Sequence, residues 1–421
     1  MTDRTTAPRV FPFPPLPAVN LTVQTLSNGI PCYCISNTQI NLLRMDIRIQ
    51  AGSYYQTRTS VARACIKLLT EGTEKHSSEE ISEIIDYSGG YFETRCERDF
   101  AVISIYFPSS SAHGIFPLLQ EMLTQATFQE DKIKILKQKI KNNLAINLEK
   151  TSYVGYCHLT QHIFGEKHPY GATATMENID TFSREDIVQF YHKYYHAGNM
   201  RIFLAGNIND DILDMMDHTL GKINHTASPL SEYKAPPSAD TSPIHVSKQT
   251  SMQASIYLGK KFHTLTHPRW NEYAVLNTLL GGYFGSRLMT NIREDKGLAY
   301  NIYSRIVPLV HDGMFYIHAD VNKQQVALAI QEIYSEMNVL KEQLVDQHEL
   351  TTLKNYMYGS LLRNFDGVFS QIEQLMDVND FKLSMNHFEQ KTNIIKSIQA
   401  STLRDLAQMM FTPGFVEVVV G

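Results

Sequence analysis

The sequence predicts an α+β protein made of two homologous α/β-sandwich halves joined by a Pro/Ser-rich linker. Three observations lead there. The chain has 421 residues, more than the ~250–300 at which a single hydrophobic core stops growing. Around 227–243, Pro229, Pro236, Pro237 and Pro243 stand among Ser, Ala and Thr, the composition of a connector rather than of a packed element. The segments on either side repeat one order of strand and helix signals. These place an extended arm at 1–23, an N-terminal half at 24–225, the linker at 226–244 and a C-terminal half at 245–421.

Taken in order, the arm is rich in Pro and Phe between Pro8 and Pro17, so neither a helix nor a central strand can form, and it is expected to lie along a surface. In the N-terminal half, Asp99–Phe107 is rich in Val, Ile, Phe and Tyr and reads as a strand. Ile115, Leu118, Leu119, Met122 and Leu123 then follow at helical spacing. In the C-terminal half, Gly313–Val321 repeats the strand, and Asn322 offers an N-cap to a helix with Val326, Ile330, Ile333 and Met337 on one face. The two ends match further. Ser183 with Asp186 is a capping-box start, followed by a strand Arg201–Ala205 closed by Gly206; Thr402 with Asp405 repeats the start, and Phe415–Val420 repeats the strand, closed by Gly421.

Composition narrows the function. A net charge of −5 argues against a nucleic-acid grip, which needs a concentrated basic surface. No apolar run reaches the ~18 residues of a membrane span. Met1–Val10 contains Asp3 and no apolar core of a secretory signal. Five cysteines, an odd number, read as free thiols in a reducing compartment. The expectation is a cytoplasmic protein with no nucleic-acid or membrane partner.

Sixteen histidines make a metal search the first step. His192 and His196, and His158 and His162 beside Cys157, are spaced four apart on predicted helices. Neither pair has the intervening glutamate that a catalytic zinc helix uses as general base, so both read as rim residues. Cys32 and Cys34 share a strand face without a second cysteine pair to complete a structural zinc site. Gly281–Ser286 lacks the Lys-Ser/Thr of a phosphate loop and reads as a turn between helices. No Gly-x-Ser-x-Gly elbow occurs.

One set of landmarks runs nearly the whole chain. It includes Ala51-Gly52-Ser53, Thr70-Glu71-Gly72-Thr73, Ser77-Ser78-Glu79-Glu80-Ile81, Ser88-Gly89-Gly90 and Arg98-Asp99. His168-Pro169-Tyr170-Gly171, Phe190–Tyr195 and Asn199-Met200 follow, then Ser286-Arg287-Leu288 and Arg293–Tyr300. From about residue 20 to 421 the chain resembles the pitrilysin/insulinase family of inverted-zincin metallopeptidases, in its processing-peptidase-like branch. The resemblance implies a duplicated metallopeptidase-like domain and, in active members, a His-x-x-Glu-His helix just before the Gly-Thr landmark. Anchored on Gly72-Thr73, that motif falls on Arg63-Ala64-Cys65-Ile66-Lys67. The histidine positions hold the cations Arg63 and Lys67, and the general-base position holds Ile66. The third ligand position falls on Leu144, and a supporting carboxylate position on Lys137. Cations repel Zn²⁺ and cannot donate to it, so no catalytic residue or metal of its own is expected here.

The resemblance also implies an arginine and a tyrosine from the C-terminal half that bind the substrate near its scissile carbonyl; Arg293 and Tyr300 match those positions. A planar cation and a phenol donor suit a developing oxyanion. The pattern resembles the family's non-catalytic subunit. It implies a partner, a homologous peptidase subunit carrying the zinc, and peptide substrates. Gly89–Glu97 matches the family's edge strand, where a peptide adds as an extra strand. The alternatives are a structural protein, like the family's core subunits in a respiratory complex, and a homodimer that binds peptides without cutting them.

Overall fold

The β-branched and aromatic runs fit pleated, half-buried surfaces, and they become two sheets. The computed structural model describes residues 13–226, 242–249 and 251–421. Strands β1 (Leu21–Thr25), β2 (Pro31–Ser36), β3 (Leu43–Ile49), β4 (Tyr91–Cys96), β5 (Ala101–Phe107) and β6 (Met200–Gly206) form the first sheet, in the order β1-β2-β6-β3-β5-β4. Strands β7 (Ile244–Val246), β8 (Gln253–Lys261), β9 (Ala299–Pro308), β10 (Gly313–Asn322) and β11 (Val416–Val420) form the second, in the order β7-β11-β8-β10-β9. From β2 onward the two orders coincide, with one parallel pair at the same place in each, β2 with β6 and β7 with β11. The duplication read from the strand and helix signals is therefore a duplication of sheet topology.

The first half carries α1 (Val61–Leu68), α2 (Ser78–Tyr87), α3 (Ala112–Thr124), α4 (Glu130–Leu148), α5 (Thr151–Phe164), α6 (Met176–Thr181), α7 (Arg184–Tyr194) and α8 (Asp210–Thr219). The second carries α9 (Trp270–Asn277), α10 (Val326–Glu342), α11 (Gln347–Arg363), α12 (Val368–Asp380), α13 (His387–Ser397) and α14 (Ala400–Met410). A sheet with two apolar faces needs cover on both, and each half lends the other a helix. Helix α5 crosses β8 and β11 of the second sheet. Gly155 permits the approach, since a Cβ there would come within 2.7 Å of the Tyr257 ring. The Tyr257 hydroxyl donates to the Ser152 carbonyl at 2.9 Å, and the Thr151 and Ser255 hydroxyls meet at 2.8 Å. In return α12 lies on β2 and β6, seating Ile372, Leu375 and Met376 against Ile35, Phe203 and Ala205.

A second joint fixes the halves. The Tyr170 hydroxyl donates to Asp99 Oδ1 at 2.5 Å and accepts from the His311 backbone N–H at 3.2 Å. Asp99 Oδ2 accepts from the Val310 N–H at 3.2 Å, and the Tyr54 and His311 rings stack at 4.3 Å. The β9–β10 turn of one half is thus held by three aromatic or acidic side chains of the other.

Several expectations shift. The Ser183–Asp186 capping box forms as read, but α14 begins at Ala400 after Gln399, so Thr402 lies inside the helix and caps nothing. Regular structure starts at Leu21, within the segment read as arm. The arm's described part, from Phe13, runs along the C-terminal half. Its Phe13 ring meets Tyr358 edge-on at 4.6 Å, and the Tyr358 hydroxyl donates to the Pro14 carbonyl. Of the linker, 227–241 lie outside the described residues, as do arm residues 1–12.

Candidate functional site

Helix α1 is amphipathic: Val61, Ala62, Ala64, Cys65, Ile66 and Leu68 are buried, and Arg63 faces out. Ile66, at the general-base position, is fully buried, and Leu144 on α4 is nearly so in the same apolar core. Lys67 is half-buried and donates its ammonium to the Thr94 carbonyl of β4 at 2.5 Å. Burial, and then the charge of Arg63 one turn away, holds its pKa below the usual lysine value. Lys137 donates to the carbonyls of Phe182 at 2.5 Å and Asp180 at 3.1 Å, with its ammonium 4.4 Å above the Phe182 ring. The carboxylate position has become a tie between α4 and the α6–α7 turn.

This donor set does not fit zinc, which takes His, Cys, Asp or Glu ligands. Among the described residues no group of three or more such side chains converges. The histidine pairs do not alter that. His158 and His162 share α5 with ring centroids 6.5 Å apart. His192 and His196 do not share a helix, a correction to the sequence reading: α7 ends at Tyr194, leaving His192 exposed and His196 buried beyond it. Cys32 and Cys34 do share one face of β2, sulfurs 3.5 Å apart, buried beside Met216.

Strand β4 is the free edge of the first sheet. The Glu97 N–H bonds to the Phe100 carbonyl across the hairpin turn. In an antiparallel ladder bonded pairs alternate, so with Arg95 opposite Val102 and Thr94 opposite Ile103, the peptide groups of Phe92, Thr94 and Cys96 point outward. The Thr94 carbonyl that Lys67 holds is one of these.

In the second half the corresponding edge strand is β9, and Tyr300 is its second residue. Asp320 pairs with Asn301 and Val321 with Ala299, which leaves Tyr300 as the extra residue of a β-bulge. A bulge re-aims a side chain out of the ladder, and Tyr300 is 75% exposed. Arg293 lies on the π-helical turn Met289–Asp295, exposed, its guanidinium 5.8 Å from the centre of the exposed Phe284 ring. π-turns recur at functional sites. Arg293 makes no ion pair among the described residues, and neither it nor Tyr300 contributes to the core.

A model of "Insulinase (Peptidase family M16)" matches residues 34–168, and one of "Peptidase M16 inactive domain" matches residues 181–357.

The chain belongs to the insulinase family, M16.

Among family relatives, the chain is 24% identical over 395 residues to an uncharacterized zinc protease, YmxG, of Bacillus subtilis, covering 93% of this chain and 96% of that one. It is 23% identical over 363 residues to a protein of Helicobacter pylori called a non-peptidase homolog, covering 83% and 81%. A crystal structure of a peptidase M16 inactive domain from Pseudomonas fluorescens superposes with a TM-score of 0.86 at 21% identity, covering 96% of this chain and 98% of that one. The M16 landmarks retained here make the inter-half joint: Gly52 lies so close to the Arg98–Phe100 backbone that a Cβ would sit 2.4 Å from the Arg98 oxygen, and Asp99 and Tyr170 hold the β9–β10 turn. Sequence reading missed the exchange of α5 and α12. The one signal of it was the alternation of charge along β3, where Arg44, Asp46 and Arg48 are buried and paired.

Proposed function

We propose that this chain is the non-catalytic subunit of a two-subunit zinc-dependent peptidase, closing the chamber around a peptide and working with a homologous subunit that carries the zinc. In that complex the partner's zinc would supply an activated water, and the scissile carbonyl oxygen of the peptide would take on negative charge. Arg293 and Tyr300 of this chain donate to that oxygen, where fixed donors act most strongly. The observation that carries the reading is Tyr300: a bulge costs ladder bonds, and here it turns an aromatic donor into solvent, while the exposed Arg293 makes no ion pair among the described residues and neither group belongs to the core. The family's peptides and a cytoplasmic setting complete the proposal; among the described residues no helix is long and apolar enough to cross a membrane. A structural or peptide-binding role of the same fold, without proteolysis, is the second reading, and it draws on the H. pylori relative called a non-peptidase homolog.

The test is the complex with a zinc-motif homologue. Arg293→Ala and Tyr300→Phe are expected to leave assembly intact and lower turnover of an unstructured peptide by ~10²–10³ each, the cost of one oxyanion donor. Turnover unchanged within about twofold at matched assembly refutes the role.

A further inference from the structure

Two of the three positions that would hold zinc in an active family member do not merely lack ligands; they have acquired positive charge. Arg63 and Lys67 are one turn apart on α1, and Arg98 stands in the β4–β5 turn, its backbone carbonyl taken by the Tyr54 N–H at 2.7 Å. Helix α5 faces them with Tyr153 and Tyr156. Arg98 and, from β9, Arg305 lie close enough for their charges to act on the Tyr156 hydroxyl. The charges of Arg63 and Arg98 both reach Tyr153 and the Cys96 thiol. Arg63, Arg98 and Arg305, from both halves, therefore act on one α5 face, and Lys67 lies one turn from Arg63. None of Arg63, Lys67, Arg98 and Arg305 forms an ion pair with a carboxylate among the described residues. The nearby carboxylates Glu93 and Glu97 are already engaged, Glu93 by Arg95 at 3.3 Å and Glu97 by Arg48 at 2.9 Å. Lys67 has three N–H donors, of which the Thr94 carbonyl takes one.

We propose that the degenerate zinc site has become an anion site that holds the carboxylate of a peptide, one bound along β4 in the added-strand manner that the family resemblance implies. Unpaired neighbouring cations repel one another, and Arg63 and Lys67 do so here; a bound carboxylate relieves that repulsion and accepts charge-assisted bonds from several donors at once. The outward peptide groups of Phe92 and Cys96, with the Thr94 N–H, supply the backbone ladder, which is sequence-tolerant. The carboxylate selects. It can be the peptide's own C-terminus or an Asp or Glu side chain, since both present the same two oxygens. The inference concerns the first half's own site and does not depend on Arg293, Tyr300 or a partner.

The experiment uses the full chain alone and fluorescein-labelled unstructured dodecapeptides in four forms, read by anisotropy. One has a free C-terminus and no acidic residue; the others are amidated with none, with one Glu, or with Gln in its place. The free acid, the Glu peptide or both are expected to bind at least ~10-fold more tightly than the neutral amides, with affinity falling as salt rises. Which of the two binds assigns the source of the carboxylate. Arg63→Glu, an exposed position that should not disturb folding, is expected to remove that preference, and Lys67→Met to reduce it. Lys222→Glu, beside the β1–β2 turn at the opposite edge of the sheet where Asn28 bonds the Leu220 carbonyl, makes the same change in net charge and should leave the preference intact. Equal binding of acid and amide peptides, no binding of any, or equal effects of Arg63→Glu and Lys222→Glu each overturns the proposal.

Discussion

Replacing Tyr170 by Phe should weaken the whole molecule, because one hydroxyl serves both halves. Tyr170 is 1% exposed, and its ring is packed by Tyr54 and Phe164, so the substitution keeps the packing and removes only the oxygen. Two groups then lose their partner: Asp99 Oδ1, which accepts at 2.5 Å, and the His311 N–H, which donates at 3.2 Å. A hydrogen bond to a charged group is worth ~1.5–3 kcal/mol, and an orphaned buried N–H costs ~1–3 kcal/mol. Allowing for water entering the gap, the expected loss is about 3 kcal/mol. Since each half lends a helix to the other's sheet, urea unfolding should be a single transition, and the loss should appear as a lower midpoint at unchanged slope. Asp99→Asn keeps an oxygen for the Val310 N–H and an amide to face Tyr170, so it should cost less, about 1 kcal/mol. The two substitutions together should fall short of additivity by ~1 kcal/mol or more. A loss below ~0.5 kcal/mol for Tyr170→Phe, well under one net hydrogen bond, would refute the joint.

His387 is held down to about 4 by burial and then by the Lys391 charge, so the unfolded chain, titrating near ~6.5, binds a proton that the fold refuses. Stability present above pH ~6.5 should therefore fall by roughly 1–3 kcal/mol toward pH 4, and pH-dependent melts of His387→Gln should show a shallower decline. Gly52→Ala forces a Cβ to 2.4–2.5 Å from the Arg98–Phe100 backbone; it should destabilise by more than ~3 kcal/mol or prevent soluble expression. Leu144→Ala, opening space beside α1, should cost ~2–5 kcal/mol in urea melts. Rebuilding the family motif with Arg63→His, Ile66→Glu and Lys67→His should yield no chelator-sensitive peptidase, because Leu144 still supplies no ligand and the buried Ile66 site must take a carboxylate. Chelator-inhibited cleavage by that variant would show the third-ligand assignment to be wrong.

How far the sequence could be read depended on whether a signal was local. The topological repeat was legible because β5 and β10 carry the same β-branched and aromatic runs before their helices, and the Ser183 box announces α7 by its own side chains. The Thr402 signal misled: Ser/Thr-x-x-acid arises by chance inside helices, and α14 starts at Ala400 without a side-chain cap. His192 and His196 failed for the same reason, since i, i+4 spacing aligns side chains only while the helix lasts. Charges alternating along a strand ordinarily mark a solvent face, and β3 carries such charges. They are buried instead, because α12 arrives from more than 300 residues away with Glu373 2.7 Å from Arg44 and Asp380 2.6 Å from Arg48. No period in a single segment encodes a partner that distant. The bulge at Tyr300 was equally out of reach, being a property of register between β9 and β10.

The two edge strands show how one duplicated sheet can carry two different tasks. Each sheet leaves its last strand, β4 or β9, unpaired on one side, and an open edge is a liability unless it is blunted or used. In the first half β4 meets α1, whose Lys67 bonds an outward carbonyl at 2.5 Å and whose neighbours Ile66 and Leu144 fill the core. The helix keeps its place without metal because Val61, Ala62, Ala64, Cys65 and Leu68 bury it. Burying a Leu or Ile side chain contributes ~1.5–3 kcal/mol, whereas an unpaired buried carboxylate there would be heavily penalised. Loss of the metal ligands therefore leaves the fold no weaker at α1. In the second half β9 buries Ile302 and Ala299 but turns Tyr300 outward through a bulge. Tyr300 lies outside the core, so packing does not account for the bulge, whereas the proposed role at a substrate carbonyl would. The asymmetry is between an edge, β4, with one outward carbonyl held by Lys67 and an edge, β9, that turns a side chain outward through a bulge; in the two proposals the first would recognise a peptide and the second would assist chemistry.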